Sequence, residues 1–83
     1  MKLPRDISGG KLAESLSMFG YKTTRHSGSH DRLATAEMGE RHTTIPVHLT
    51  LRVGKLNAVI RDVTEHFGLS RDEVADRLFQ DKQ

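Results

Sequence analysis

Tyr21-Lys22-Thr23-Thr24-Arg25-His26-Ser27-Gly28-Ser29-His30-Asp31-Arg32-Leu33-Ala34-Thr35-Ala36 reads as two strands with a break between them. The first run is Thr-rich and alternating to about residue 26, and Ser27-Gly28 interrupts it. A second strand is predicted over about residues 29–36, and Gly39 marks the next hairpin turn. The third strand begins near Arg41, with Thr43, Ile45 and Val47 on one side and His42, Thr44 and His48 on the other. Pro46 cannot donate to a ladder, which points to an edge position or a strand end. The alternation runs on nominally through Leu49, Leu51 and Val53, so the periodicity leaves the end of this strand open.

Helical spacing brackets the strands. Leu12, Leu16 and Phe19 recur at i, i+4 and i+7, predicting a helix over about residues 9–19 with Ser8 as its cap. Gly20 can end it in the left-handed conformation, with Tyr21 folding back. After Gly54, Leu56, Ile60, Val63 and Phe67 give a second helix face, which Gly68 closes. Ser70-Arg71-Asp72-Glu73 fits a capping box for a short third helix carrying Val74, Ala75 and Leu78. The predicted class is α+β: helix, three-stranded antiparallel sheet, helix, short C-terminal helix. Helices cover one sheet face and leave the other free for a ligand or partner.

Eighty-three residues are expected to form one domain over 1–83. A chain of this size buries only about 60 % of its unfolded surface, so the large apolar side chains are needed for the core. A deep cofactor cavity is not expected, and any site should be shallow. The net charge of +2, histidines neutral, mildly favours an anionic partner such as RNA or an acidic protein. With no cysteine there is no disulfide or thiolate metal site, which suits a reducing cytosol. Met1 to Asp6 carries no apolar signal core and no run is long enough for a membrane span, so a soluble cytoplasmic protein is expected. Lys22, Arg25, Arg32, Arg41, Arg52 and Lys55 fall in the strands and at the start of the second helix. Asp62, Glu65, Asp72, Glu73, Asp76 and Asp81 fall in the carboxyl-terminal third, so a basic face beside the histidine segment is expected.

Arg25-His26-Ser27-Gly28-Ser29-His30 concentrates the chemistry. Histidine has an unperturbed pKa of roughly 6.5 and exchanges protons near neutrality. Gly28 allows a sharp turn, and His30 is the leading candidate for chemistry. The residues alone also fit an exposed strand-end histidine without a role. His26 and His30 would stand ~13 Å apart on a regular strand, too far to share an ion, and no helical HExxH pair is present. No metal is expected. His26, His42 and His48 fit a solvated polar face better than a second acid or base, and His66 sits in the second helix. Ser8-Gly9-Gly10-Lys11 lacks the strand and spacing of a nucleotide phosphate loop. It reads as a plain cap whose free amides could hold one phosphate.

The order of features resembles the HicA family of toxin ribonucleases. The likeness runs through Phe19-Gly20-Tyr21, Gly28-Ser29-His30, Ile45-Pro46-Val47-His48, Gly54 opening the main helix, and Phe67-Gly68-Leu69-Ser70. The resemblance implies a double-stranded-RNA-binding-domain-like fold and a metal-independent endoribonuclease that cleaves mRNA. It also implies a HicB-like antitoxin that masks the site, and it maps the catalytic histidine onto His30. The chain departs from the family at Asp31, where a basic, aromatic or second histidine residue is more common. On a regular strand Asp31 points away from the His30 face. Residues 49–53 lack the usual lysine and glycine richness.

RNA transesterification needs a base for the 2′-hydroxyl, an acid for the leaving 5′-oxygen and positive groups for the phosphorane. On this reading His30 is the general acid/base and Gly28 and Ser29 shape its turn. Arg25, Lys22, Arg32, His48 and Lys55 are expected to bind substrate or shape the site. Cleavage needs a strand free to adopt in-line geometry, so single-stranded regions of mRNA are the expected substrate, with little sequence preference. No small-molecule cofactor is expected. The competing readings are a non-catalytic RNA-binding module and a protein-interaction domain with the same fold.

Overall fold

The computed structural model describes residues 3–4 and 6–79. The chain order is α1 (Gly9–Leu16) running into a short 3₁₀ turn (Ser17–Phe19), β1 (Lys22–Ser27), β2 (His30–Thr35), β3 (Arg41–Pro46), α2 (Val53–Phe67) and α3 (Arg71–Phe79). The protein is thus a small α+β structure with one antiparallel sheet in the order β1-β2-β3. Asp81 lies outside the described residues. Among those described, no helix is long and apolar enough to cross a membrane.

The helix ends follow the caps written in the sequence. Ser8 Oγ accepts from the Lys11 amide at 3.1 Å, and Gly20 closes the 3₁₀ turn with φ 84°. Gly68 ends α2 with φ 68°. The capping box of α3 is complete. The Glu73 amide donates to Ser70 Oγ and the Ser70 amide to Glu73 Oε1, both at 3.1 Å.

One core gathers Leu12, Leu16 and Phe19 from the first helical segment with Leu33 and Ile45 from the sheet. Leu56, Ile60 and Val63 of α2 and Val74 and Leu78 of α3 close it. Phe67 is half-buried and packs its ring 5.2 Å from that of Phe19. The buried Thr35 hydroxyl donates to the Phe19 carbonyl at 2.9 Å and accepts from the Glu37 amide, so it is satisfied. Arg41 at the start of β3 pairs with Asp62 of α2, which raises the Arg41 pKa. His66 Nε2–H reaches the carbonyls of Glu37 and Gly39, each at 2.9 Å, and ties the β2–β3 turn to α2.

The third strand ends at Pro46, and the nominal alternation beyond it is not a strand. Residues 47–51 instead run back along the entry to α1. The Gly9 amide donates to the Leu49 carbonyl at 2.9 Å, Gly10 to Val47 at 3.0 Å, and Leu51 to the Ile7 carbonyl at 2.8 Å. The first amides of α1 are therefore occupied, so the helix start is the plain cap expected and has no free amides to hold a phosphate. Gly9 serves a close approach instead: a Cβ there would lie 2.0 Å from the Pro46 carbonyl oxygen.

Two stability effects follow. Gly9→Ala should destabilise the fold by about 3 kcal/mol, since backbone must move on both sides of the contact. Urea unfolding measures this; no loss, or the gain of up to about 1 kcal/mol that an unhindered helical Gly→Ala change brings, would rule out the close approach. Tyr21 carries the reverse expectation, because its buried hydroxyl has no hydrogen-bond partner among the described residues. Burial, and then the Asp62 charge, hold its pKa above the ordinary 10.0, so alkaline pH costs stability as it rises through the raised value. Tyr21→Phe should stabilise by about 1 kcal/mol at neutral pH and abolish that alkaline dependence.

Candidate functional site

Pleat and register decide which side chains meet. Leu33 and Thr35 of β2 are buried beneath the helices, so His30, Arg32 and Ala34 face the uncovered side of the sheet. The cross-strand partners extend that face into three rows. Ser27, His30 and Pro46 form the first, Arg25, Arg32 and Thr44 the second, and Lys22, Ala34 and His42 the third.

A bulge makes this grouping possible. The β1–β2 register shifts between Thr23 and Arg25, leaving Thr24 out of the pairing with its hydroxyl donating to the Arg32 carbonyl at 3.2 Å. Strict alternation would put Lys22 and Arg25 on opposite faces. The extra residue brings Lys22, Arg25 and Ser27 to the same one.

The turn beside these rows is tight. Ser27 pairs with His30 across a two-residue loop, with Gly28 at φ 60° in its first position. That is the place of glycine in a type II′ hairpin, whose twist suits the flanking strands. The Val47 amide donates to the Ser29 carbonyl at 2.9 Å and fixes the far side of the turn to the end of β3. His30 is exposed, and its Nδ1 lies 3.4 Å from Ser29 Oγ, a long contact. Its other ring nitrogen has no protein partner among the described residues. The imidazole is held at a strand start with a free edge, which suits proton exchange with a bound molecule.

Asp31 points to the opposite face, as strand alternation requires, and its carboxylate engages His26 Nδ1 across the β1–β2 pair. Two consequences follow for the expected site. Asp31 does not oppose an anion in the His30 rows, and His26 is separated from His30 by the sheet itself. Sequence spacing gave His26 only a minor place and no partner. The signal it lacked was the register that sets Asp31 opposite. On that helix-side face a groove of about 520 Å³ runs between α1 and β1, and Glu14 and Asp31 line it. Lys22 also lines it, so two carboxylates stand against one cation, a poorer place for phosphate than the His30 rows.

The other expected residues divide. Lys22, Arg25 and Arg32 are exposed and share the His30 face, and Gly28 and Ser29 form its turn. His48 does not lie on β3 beside His42, because the strand ends two residues earlier; it occupies the exposed turn that begins next to Ser29. Lys55 sits in the first turn of α2, and α2 packs on the covered face, so the structure does not bring it into the rows. His42 is at the far end of the face and pairs with Glu40 at 2.9 Å. Among the described residues, no group of three His, Cys, Asp or Glu side chains could hold a metal ion. No protein-family model, curated protein or solved structure matches the chain.

Proposed function

We propose that the protein is a metal-independent endoribonuclease of the HicA type, the toxin of a type II toxin–antitoxin pair, and that His30 is its general acid/base. The observation that carries the reading is the company His30 keeps. An exposed imidazole stands at a glycine turn on an uncovered sheet face, with Arg25 and Arg32 in the next row. No carboxylate occupies either row. An endoribonuclease needs a group for proton transfer at the scissile phosphate and positive charge to hold the RNA backbone beside it, and this face supplies both.

The order of helix, three antiparallel strands and helix is compatible with a double-stranded-RNA-binding-domain-like class. The motif order Phe19-Gly20-Tyr21, Gly28-Ser29-His30, Ile45-Pro46-Val47-His48 and Phe67-Gly68-Leu69-Ser70 supports the family reading. On that reading the substrate is mRNA in the cytoplasm, and a HicB-like antitoxin covers the His30 face. The second reading is a non-catalytic RNA-binding module, which the same basic face would also serve.

His30→Ala separates the two. On an unstructured RNA the variant should cut about 10²–10⁴-fold more slowly than wild type while keeping its fold and its RNA affinity. Wild-type products should end in a 2′,3′-cyclic phosphate or the 3′-phosphate formed from it. Equal cutting by a folded His30→Ala protein defeats the assignment, and 5′-phosphate ends exclude the 2′-hydroxyl as nucleophile. RNA that binds wild type but stays intact selects the non-catalytic module.

A further inference from the structure

We infer that Arg25 and Arg32 together seat one backbone phosphate of single-stranded RNA, the phosphate next to the one His30 acts on; the placement of the scissile bond rests on the reading of His30 above. Arg25 and Arg32 are direct cross-strand partners, both exposed on the uncovered face. Side chains so opposed stand about 5 Å apart at Cβ, and like charges in that position repel. Neither guanidinium has an ion pair or hydrogen bond among the described residues. The nearest acid in sequence, Asp31, is turned to the other face and engaged by His26. Free protein therefore carries a repulsion that an anion between the two forks would relieve, and guanidinium forks match phosphate oxygens in pairs.

Spacing favours a nucleic-acid strand as the anion's source. His30 and Arg32 are two residues apart on one strand face, a step of roughly 7 Å. The phosphate repeat of an extended single strand is comparable, so adjacent phosphates fall on adjacent rows. The three rows carry no Phe, Tyr or Trp, so no large aromatic platform stacks bases here. Grip comes from the backbone, with little sequence preference.

The test uses the full-length His30→Gln protein and a fluorescent 2′-O-methyl oligouridylate of about ten nucleotides, which cannot be cut. Adding Arg25→Gln or Arg32→Gln should weaken binding roughly tenfold and make the log–log salt slope shallower by about 0.7. Neither change should lower the melting temperature at low salt, whereas a structural role for these arginines would. Arg61→Gln, on the exposed side of α2, removes the same charge and should leave affinity within about twofold. Arginine variants that bind as tightly as their parent, or lose no more than Arg61→Gln, overturn the seat. Oligoglutamate of matched charge competing equally well overturns it in favour of an acidic protein partner.

A second arm tests the neighbouring position with a DNA strand containing one ribonucleotide, so that one linkage is scissile. A neutral methylphosphonate on the adjacent linkage should erase the difference in cutting between wild type and Arg25→Gln; a difference that persists refutes the adjacency. Because the first arm uses uncut RNA, loss of binding in a protein that never cuts preserves the seat and removes the endonuclease reading alone.

Discussion

Everything at the candidate site depends on burying Leu33 in the middle of β2. That side chain is almost fully enclosed, and its burial is worth about 2 kcal/mol. A one-residue slip would expose Leu33 and turn Arg32 into the core, where an unpaired guanidinium costs several kcal/mol more. The two terms act in the same direction, so the register of the central strand is strongly determined. Once it is set, His30 and Arg32 have to face away from the helices, and Asp31 has to face toward them. Core packing thus separates a carboxylate from an imidazole adjacent to it in sequence.

The edge strand adds the second half of the face. β1 is exposed along its whole length, so burial does not fix its register as it fixes that of β2. The tight Gly28 turn aligns Ser27 with His30, and the Thr24 bulge restores Lys22 to the same side as Arg25. Bulges both re-aim side chains and disrupt an edge that could otherwise pair with another chain. The return of residues 47–51 across the start of α1 holds the opposite flank, so the turn bearing His30 is tied to a backbone-bonded corner.

Much of this was legible in the sequence because it depends on local chemistry. Ser8, Gly20, Gly68 and the Ser70–Glu73 box marked helix ends through short-range hydrogen bonds and left-handed backbone. Leu12, Leu16, Ile60 and Val63 marked buried faces through spacing. Strand alternation also turned Asp31 away from His30. The Thr24 bulge was not legible, because a Thr-rich strand with no buried face has no periodicity to interrupt. Nor was the His26–Asp31 contact, which needs the pairing register. The glycines at positions 9 and 10 resembled part of a phosphate loop, yet what needs a glycine is the approach of Gly9 to the Pro46 carbonyl at the end of β3, distant in sequence. His48 was misplaced because hydrophobic alternation continued past Pro46 after the ladder had stopped.

The central claim is that the uncovered sheet face beside the Gly28 turn, and not the helix side, receives the RNA. Backbone amide shift mapping of the His30→Gln protein, titrated with an uncleavable 2′-O-methyl oligonucleotide, tests this most directly. RNA bound on that face should give salt-sensitive shifts concentrated at Arg25, Ser27, Ser29, Arg32 and Thr44, with Glu14 and Ser17 of the α1 groove unmoved. Shifts concentrated along α1 and the His26–Asp31 side, with Arg25 and Arg32 silent, would contradict it.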